Sequence, residues 1–125
     1  MTAKILVVED DYANQQVAVL YLKKLGYKAD VAENGSIAVD LSTKTQYSVI
    51  LMDCQMPVMD GFTASQSIRE TEGLNQETPI IALTANLVSG ILEECLACGM
   101  NDILNKPIAV ADMKNILTKW CDHRI

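Results

Sequence analysis

Reactive side chains stand at the ends of four short, strand-like runs. Glu9 and Asp10 follow Ile5-Leu6-Val7-Val8, Asp53 follows Val49-Ile50-Leu51-Met52, Thr84 follows Ile80-Ile81-Ala82-Leu83, and Lys106 follows Asn101-Asp102-Ile103-Leu104-Asn105. In a parallel sheet the carboxyl ends of the strands share one rim, so residues far apart in the chain converge there. Three carboxylates on one rim repel one another unless a cation sits among them. Mg2+ suits the set, because it takes oxygen ligands and is typically held by one or two carboxylates plus a phosphate oxygen. The Lys106 ammonium and the Thr84 hydroxyl supply a point charge and a hydrogen-bond donor where the oxygens of a phosphoryl group on Asp53 would lie. A carboxylate can accept such a group as an aspartyl phosphate, with positioning and charge neutralisation supplying most of the acceleration.

The elements that must position these groups alternate along the chain. Lys4 to Val8 reads as a strand covered on both faces. Val17, Leu20, Tyr21 and Leu25 recur at helical spacing, so a helix is expected over Ala13 to Leu25, stopped by Gly26. Tyr27 to Ala32 is a weaker strand, and Asn34-Gly35 turns into a helix over Ser36 to Thr43. Ser48 to Met52 is the third strand, followed by a helix over Gly61 to Glu70 with Asp60 as its capping acid. After a polar connection over Gly73 to Thr78, Pro79 to Leu83 forms the fourth strand. A helix is expected over Val88 to Ala97, with Gly90 as a weak point inside it. Asn101 to Asn105 is the fifth strand, and Val110, Met113, Ile116, Leu117 and Trp120 stripe a final helix. Five strands alternating with five helices predict an α/β fold, a parallel sheet between two helical layers with right-handed crossovers.

Length and composition fit one domain over residues 1–125, half hydrophobic and 21% charged. A net charge of -6, from 16 acidic and 10 basic residues, argues against a nucleic-acid surface and against anionic membranes. No apolar run approaches the roughly 20 residues of a membrane-spanning helix, and a strand so near Met1 leaves no room for a signal peptide. A cytoplasmic setting is expected, with Cys54, Cys95, Cys98 and Cys121 as free thiols. Asp122 to Ile125 reads as the stub of a longer protein.

At the residues carrying the chemistry, the sequence resembles the receiver domain of two-component response regulators. The matching stretches are Ile5-Leu6-Val7-Val8-Glu9-Asp10, Leu51-Met52-Asp53 with Met56-Pro57 and Met59-Asp60-Gly61, Ala82-Leu83-Thr84-Ala85, and Asn105-Lys106-Pro107-Ile108. The resemblance implies a flavodoxin-like sheet in the order 2-1-3-4-5 and phosphorylation of Asp53. It implies Mg2+ held by Glu9, Asp10, Asp53 and the backbone carbonyl of Gln55. It implies phosphoryl oxygens bound by Thr84, the Ala85 amide and Lys106, with a cis Lys106-Pro107 peptide. Gln55 and Asn86 would tune the phosphoryl lifetime. Asn34-Gly35, Met56 to Gly61 and Gly99-Met100-Asn101-Asp102 look most like receivers of hybrid sensor histidine kinases. The partners implied are a histidine kinase, a histidine phosphotransfer domain, or both, with a transient homodimer as a further expectation. The implied role is a phospho-accepting signalling domain rather than an enzyme.

One position departs from the family pattern. Three residues before Lys106, where the family often has Tyr or Phe, stands Ile103. An aliphatic side chain cannot make the aromatic swing, so signalling is expected through the Thr84 loop and the helix weakened by Gly90.

Plainer readings compete at each position. Asp53 and Thr84 could cap the helices after them, Asp11 more naturally caps a helix than binds metal, and His123 in the tail is a solvent-facing default. Cys95-x-x-Cys98 is half a zinc or redox motif but sits on an apolar helical face, favouring core. Three other functions remain in view. A phosphorylation-independent pseudo-receiver would have no need to keep all five of Glu9, Asp10, Asp53, Thr84 and Lys106. An aspartyl-phosphate hydrolase of the haloacid dehalogenase type would want an acid at Gln55. A flavodoxin-like carrier would cradle phosphate where Glu9-Asp10-Asp11 repels it.

Overall fold

The computed structural model describes residues 4–54, 59–85 and 90–122. In chain order the elements are β1 (Lys4–Val8), α1 (Tyr12–Lys24), β2 (Lys28–Ala32), α2 (Gly35–Ser42), β3 (Val49–Asp53), α3 (Gly61–Glu70), β4 (Ile80–Thr84), α4 (Ile91–Ala97), β5 (Asp102–Asn105) and α5 (Val110–Asp122). All strand pairs are parallel, and the order is β2-β1-β3-β4-β5. The expected class and the implied strand order are therefore both observed.

Strands β3 and β4 are buried at every position, which is why their sequences read as apolar runs rather than as alternating patterns. Alternate residues go to opposite faces. Leu6, Val8, Ile50, Met52, Ile80 and Ala82 join Ala38 of α2, Ala64 and Ile68 of α3 and Cys95 of α4 in one cluster. Ile5, Val7, Val49, Leu51, Ile81 and Leu83 join Ala18 and Leu22 of α1 and Met113 and Leu117 of α5 in the other. Burying each Leu or Ile of this kind contributes about 1.5–3 kcal/mol relative to exposure.

The rim opposite the reactive strand ends is tied by polar groups. Arg69 donates from Nε to the Gly99 carbonyl, from Nη1 to the Gln76 carbonyl and from Nη2 to Asn101 Oδ1, each at 2.8 Å. Asn75 is 2% exposed; its amide donates to the Ser42 and Thr45 carbonyls at 2.6 Å, and its Oδ1 accepts from the Tyr47 amide at 2.9 Å. The polar connection over Gly73 to Thr78 thus closes that end of the fold rather than merely spanning it. At the sheet edge, Trp120 Nε1 donates to Asp102 Oδ2 at 2.9 Å and fixes α5 to β5.

Element boundaries differ from the sequence expectation by one residue in most cases, and one difference matters. Gly90 does not weaken a helix from within: it is the N-cap of α4, at φ 87°, and Ile91 begins the helix. A left-handed φ suits glycine and breaks the helical path there. The expected start at Val88 lies outside the described residues.

Candidate functional site

The carboxyl ends of β1, β3, β4 and β5 meet at one rim. Asp53 is the last residue of β3, and its register partner Leu83 precedes Thr84, the last residue of β4. Lys106 follows β5, and its amide donates to the Thr84 carbonyl at 2.8 Å. Both relations follow from the parallel register of neighbouring strands. The β3–β4 register pairs Asp53 with Leu83, so Thr84 stands one residue further toward the rim than Asp53.

Glu9 lies just past β1, 2% exposed, and is held at each polar atom. Its amide donates to the Ala32 carbonyl at 3.0 Å, its carbonyl accepts from Gln15 Nε2 at 2.7 Å, and its Oε2 accepts from the Asp11 amide at 3.3 Å. Its Oε1 accepts from Lys106 Nζ at 2.8 Å. The same ammonium donates to Asp53 Oδ2 at 3.1 Å, so one cation joins two carboxylates that are 2% and 5% exposed. Burial by itself would lower the pKa of Lys106, but the hydrogen bonds and charges of Glu9 and Asp53 outweigh it and hold the value above the ordinary one. Lys106 is therefore cationic at neutral pH.

Asp10 is exposed, yet one carboxylate oxygen each from Glu9, Asp10 and Asp53 lies within 4.8 Å of the others. Among the described residues no other group of three acids, cysteines or histidines comes so close. Oxygen donors, two of them buried and one open to solvent, fit a hard divalent cation that keeps some of its water. Beside them a cavity of about 520 Å³ is lined by Glu9, Asn14, Val17, Tyr21, Ala85 and Lys106, among others.

Gly61 brings the start of α3 against the end of β3. Its amide donates to the Cys54 carbonyl at 3.2 Å, and a Cβ there would collide with the Asp53 carbonyl oxygen. Asp60 caps the helix as expected, accepting from the Thr63 amide at 2.8 Å. Cys54, next to Asp53, is 3% exposed, and burial, reinforced by Cys95, pushes its thiol up to about 12. Such a thiol is inert. None of the four cysteines is in a disulfide.

The structure gathers Glu9, Asp10, Asp53 and Lys106 and sets Thr84 and Ala85 on the adjoining strand end. Gln55, Asn86 and His123 lie outside the described residues. The Lys106-Pro107 peptide is cis, as the resemblance implied. Asp11 caps α1, accepting from the Asn14 amide at 3.0 Å. Thr84 does not cap α4, because that helix starts at Ile91 with Gly90 as its cap. Ile103 packs, half-buried, against the cluster on the α4 face. Gln15 shares the buried stripe of α1 with Ala18 and Leu22, and a polar residue at that helical spacing is its one sequence signal.

A doubly wound α/β domain whose sheet presents a lysine-clamped acid cluster at its carboxyl rim is the class that fold and site define. The chain belongs to the response regulator receiver domain family, whose model matches residues 5–118. These are signalling domains of two-component and phosphorelay systems. The chain is 48% identical to hybrid signal transduction histidine kinase B of Dictyostelium discoideum, in an alignment that covers 88% of this chain. It is 41% identical to histidine protein kinase 1 of Candida albicans, in an alignment that covers 93% of this chain. It spans only 6% and 5% of those two relatives.

Among solved structures, it is similar to the receiver domain of a Pseudomonas aeruginosa PAO1 sensor histidine kinase with a magnesium ion coordinated in its active-site cleft. The TM-score is 0.90 at 43% identity, covering 98% of this chain and 99% of that one. It is also similar, at TM-score 0.89 and 27% identity over 98% of this chain and 91% of the other, to a Saccharomyces cerevisiae co-crystal structure. That structure contains a histidine phosphotransfer signalling protein and the receiver domain of its downstream response regulator.

Proposed function

We propose that the chain is a single phospho-accepting receiver domain in which Asp53 takes a phosphoryl group from a phosphohistidine. The donor is a histidine kinase or a histidine phosphotransfer domain. The observation that carries this reading is the convergence on Lys106, which lies 2.8 Å from Glu9 and 3.1 Å from Asp53 beside a third carboxylate, Asp10. A structural ion pair needs one acid. Two acids on one lysine, with a third carboxylate within 4.8 Å of them, suit a site that also takes a metal and a phosphoryl group.

In this reading an Asp53 carboxylate oxygen attacks phosphorus, the phosphorus–nitrogen bond of the donor breaks, and the imidazole leaves with the electron pair and takes up a proton. Lys106 turns from the acids to a phosphoryl oxygen, and the Thr84 hydroxyl and the Ala85 amide donate to the others. Glu9, Asp10 and Asp53, with the Gln55 carbonyl, would hold Mg2+, which supplies charge neutralisation between the acids and a phosphoryl oxygen. Their oxygen-only donor set supports that choice. The phosphorylated domain changes its protein contacts through the Thr84 loop and α4.

The test is labelling with a small phosphodonor in Mg2+. Asp53→Asn abolishes it; undiminished labelling of that variant refutes Asp53 as the acceptor, and a wild-type chain that takes no label favours a phosphorylation-independent module.

A further inference from the structure

Helix α1 buries a stripe of Gln15, Ala18 and Leu22. Ala18 and Leu22 are the expected occupants of that spacing. Gln15 is not, since a primary amide only 7% exposed is costly to bury unless it is hydrogen-bonded. Its Nε2 donates to the Glu9 carbonyl at 2.7 Å.

That carbonyl belongs to the peptide joining Glu9 to Asp10, so the bond fixes the plane from which both side chains leave. The Glu9 carboxylate has further anchors in Lys106 and the Asp11 amide. Asp10 is exposed, and its direction depends on the backbone that bears it. The first turn of α1 does not need Gln15 for its own sake, because Asp11 already caps it through the Asn14 amide at 3.0 Å.

We infer that Gln15 is a positioning residue for the acidic loop, its amide orienting the Glu9–Asp10 peptide so that Asp10 stays within sharing distance of Glu9 and Asp53 for a divalent cation. The inference rests on reading those three acids as a cation site. A loop free to rotate about that peptide must be ordered when the ion binds, and removing a partner from behind a metal ligand typically weakens binding 10- to 100-fold.

Gln15→Met keeps length and volume and removes the donor. Gln15→Glu keeps the size and sets an acceptor against the carbonyl. Binding of Mn2+ alone to the 125-residue chain is followed by electron paramagnetic resonance of the free ion, alongside thermal unfolding without metal. Both variants are expected to fold and to bind Mn2+ about tenfold more weakly or worse. Labelling of Asp53 should then need more Mg2+ while reaching the wild-type maximum. Mn2+ affinity within about twofold of wild type, with only the unfolding midpoint lowered, overturns the inference, because that is the signature of a purely structural amide. If Gln15→Met does not fold, Gln15→Glu makes the same comparison, and failure of both to fold also overturns it. A wild-type chain that binds no Mn2+ refutes instead the metal reading on which the inference rests.

Discussion

Replacing Lys106 with methionine removes the one ammonium that joins Glu9 and Asp53, 2.8 and 3.1 Å away, and leaves their carboxylates with Asp10 in a cluster within 4.8 Å. Two charges at that separation repel by about 3–4 kcal/mol at an effective dielectric constant near 20. Removing one partner of a buried pair costs about 3–5 kcal/mol. Lys106 keeps 19% of its side chain exposed, so water reaches the site, and the lower figure applies. In metal-free buffer Lys106→Met should therefore lose about 3 kcal/mol, which for a chain this size lowers the unfolding midpoint by roughly 10 °C. Urea unfolding monitored by circular dichroism reads that loss. Millimolar Mg2+ should restore more stability to the variant than it adds to wild type, because the variant lacks an internal cation. Labelling by a small phosphodonor should fall about 10²- to 10³-fold even when metal is saturating, the usual cost of removing one charge-stabilising donor. Equal metal-free stability of the two proteins, or unaltered labelling, would refute the reasoning.

Two further predictions concern Asp53's neighbours. Gly61→Ala drives a methyl group into the Asp53 carbonyl, so it should destabilise the domain by about 1–3 kcal/mol and lower phosphodonor labelling, read by urea midpoint and radiolabel together. Cys54 should resist a disulfide reagent at neutral pH in the folded state while the half-buried Cys98 and Cys121 react. Its thiol stays protonated up to about 12 when folded but ionises near 9 when unfolded. The unfolded chain thus binds fewer protons across that window, and stability declines as pH rises from 9 toward 12. Cys54→Ala should flatten the decline, and an unchanged slope would sink the assignment.

Much of this domain is written locally. Ile5 to Val8, Val49 to Met52 and Ile80 to Leu83 read as strands covered on both faces, and the helix stripes between them call for a sheet with a helical layer on each side. Asp53 and Thr84 were legible because each ends such a run. Capping was legible too at Asp11 and Asp60, whose side chains accept from amides three residues on. Asn75 and Arg69 were not legible, since both bond to carbonyls in other segments, and nothing near them in sequence announces those partners. Gly90 was misplaced into a helix because its φ of 87° is a property of the path around it rather than of local propensity.

By itself, then, the sequence determined which side chains reach the sheet's carboxyl rim, because strand length and polarity are local properties of the chain. Only the tertiary structure decided how they meet. The parallel order β2-β1-β3-β4-β5 brings Lys106 between Glu9 and Asp53, across 97 and 53 positions of sequence, and sets the Gln15 amide behind the loop that carries Asp10. Such distances follow from the packing of both helical layers on one twisted sheet, a condition that no single segment encodes.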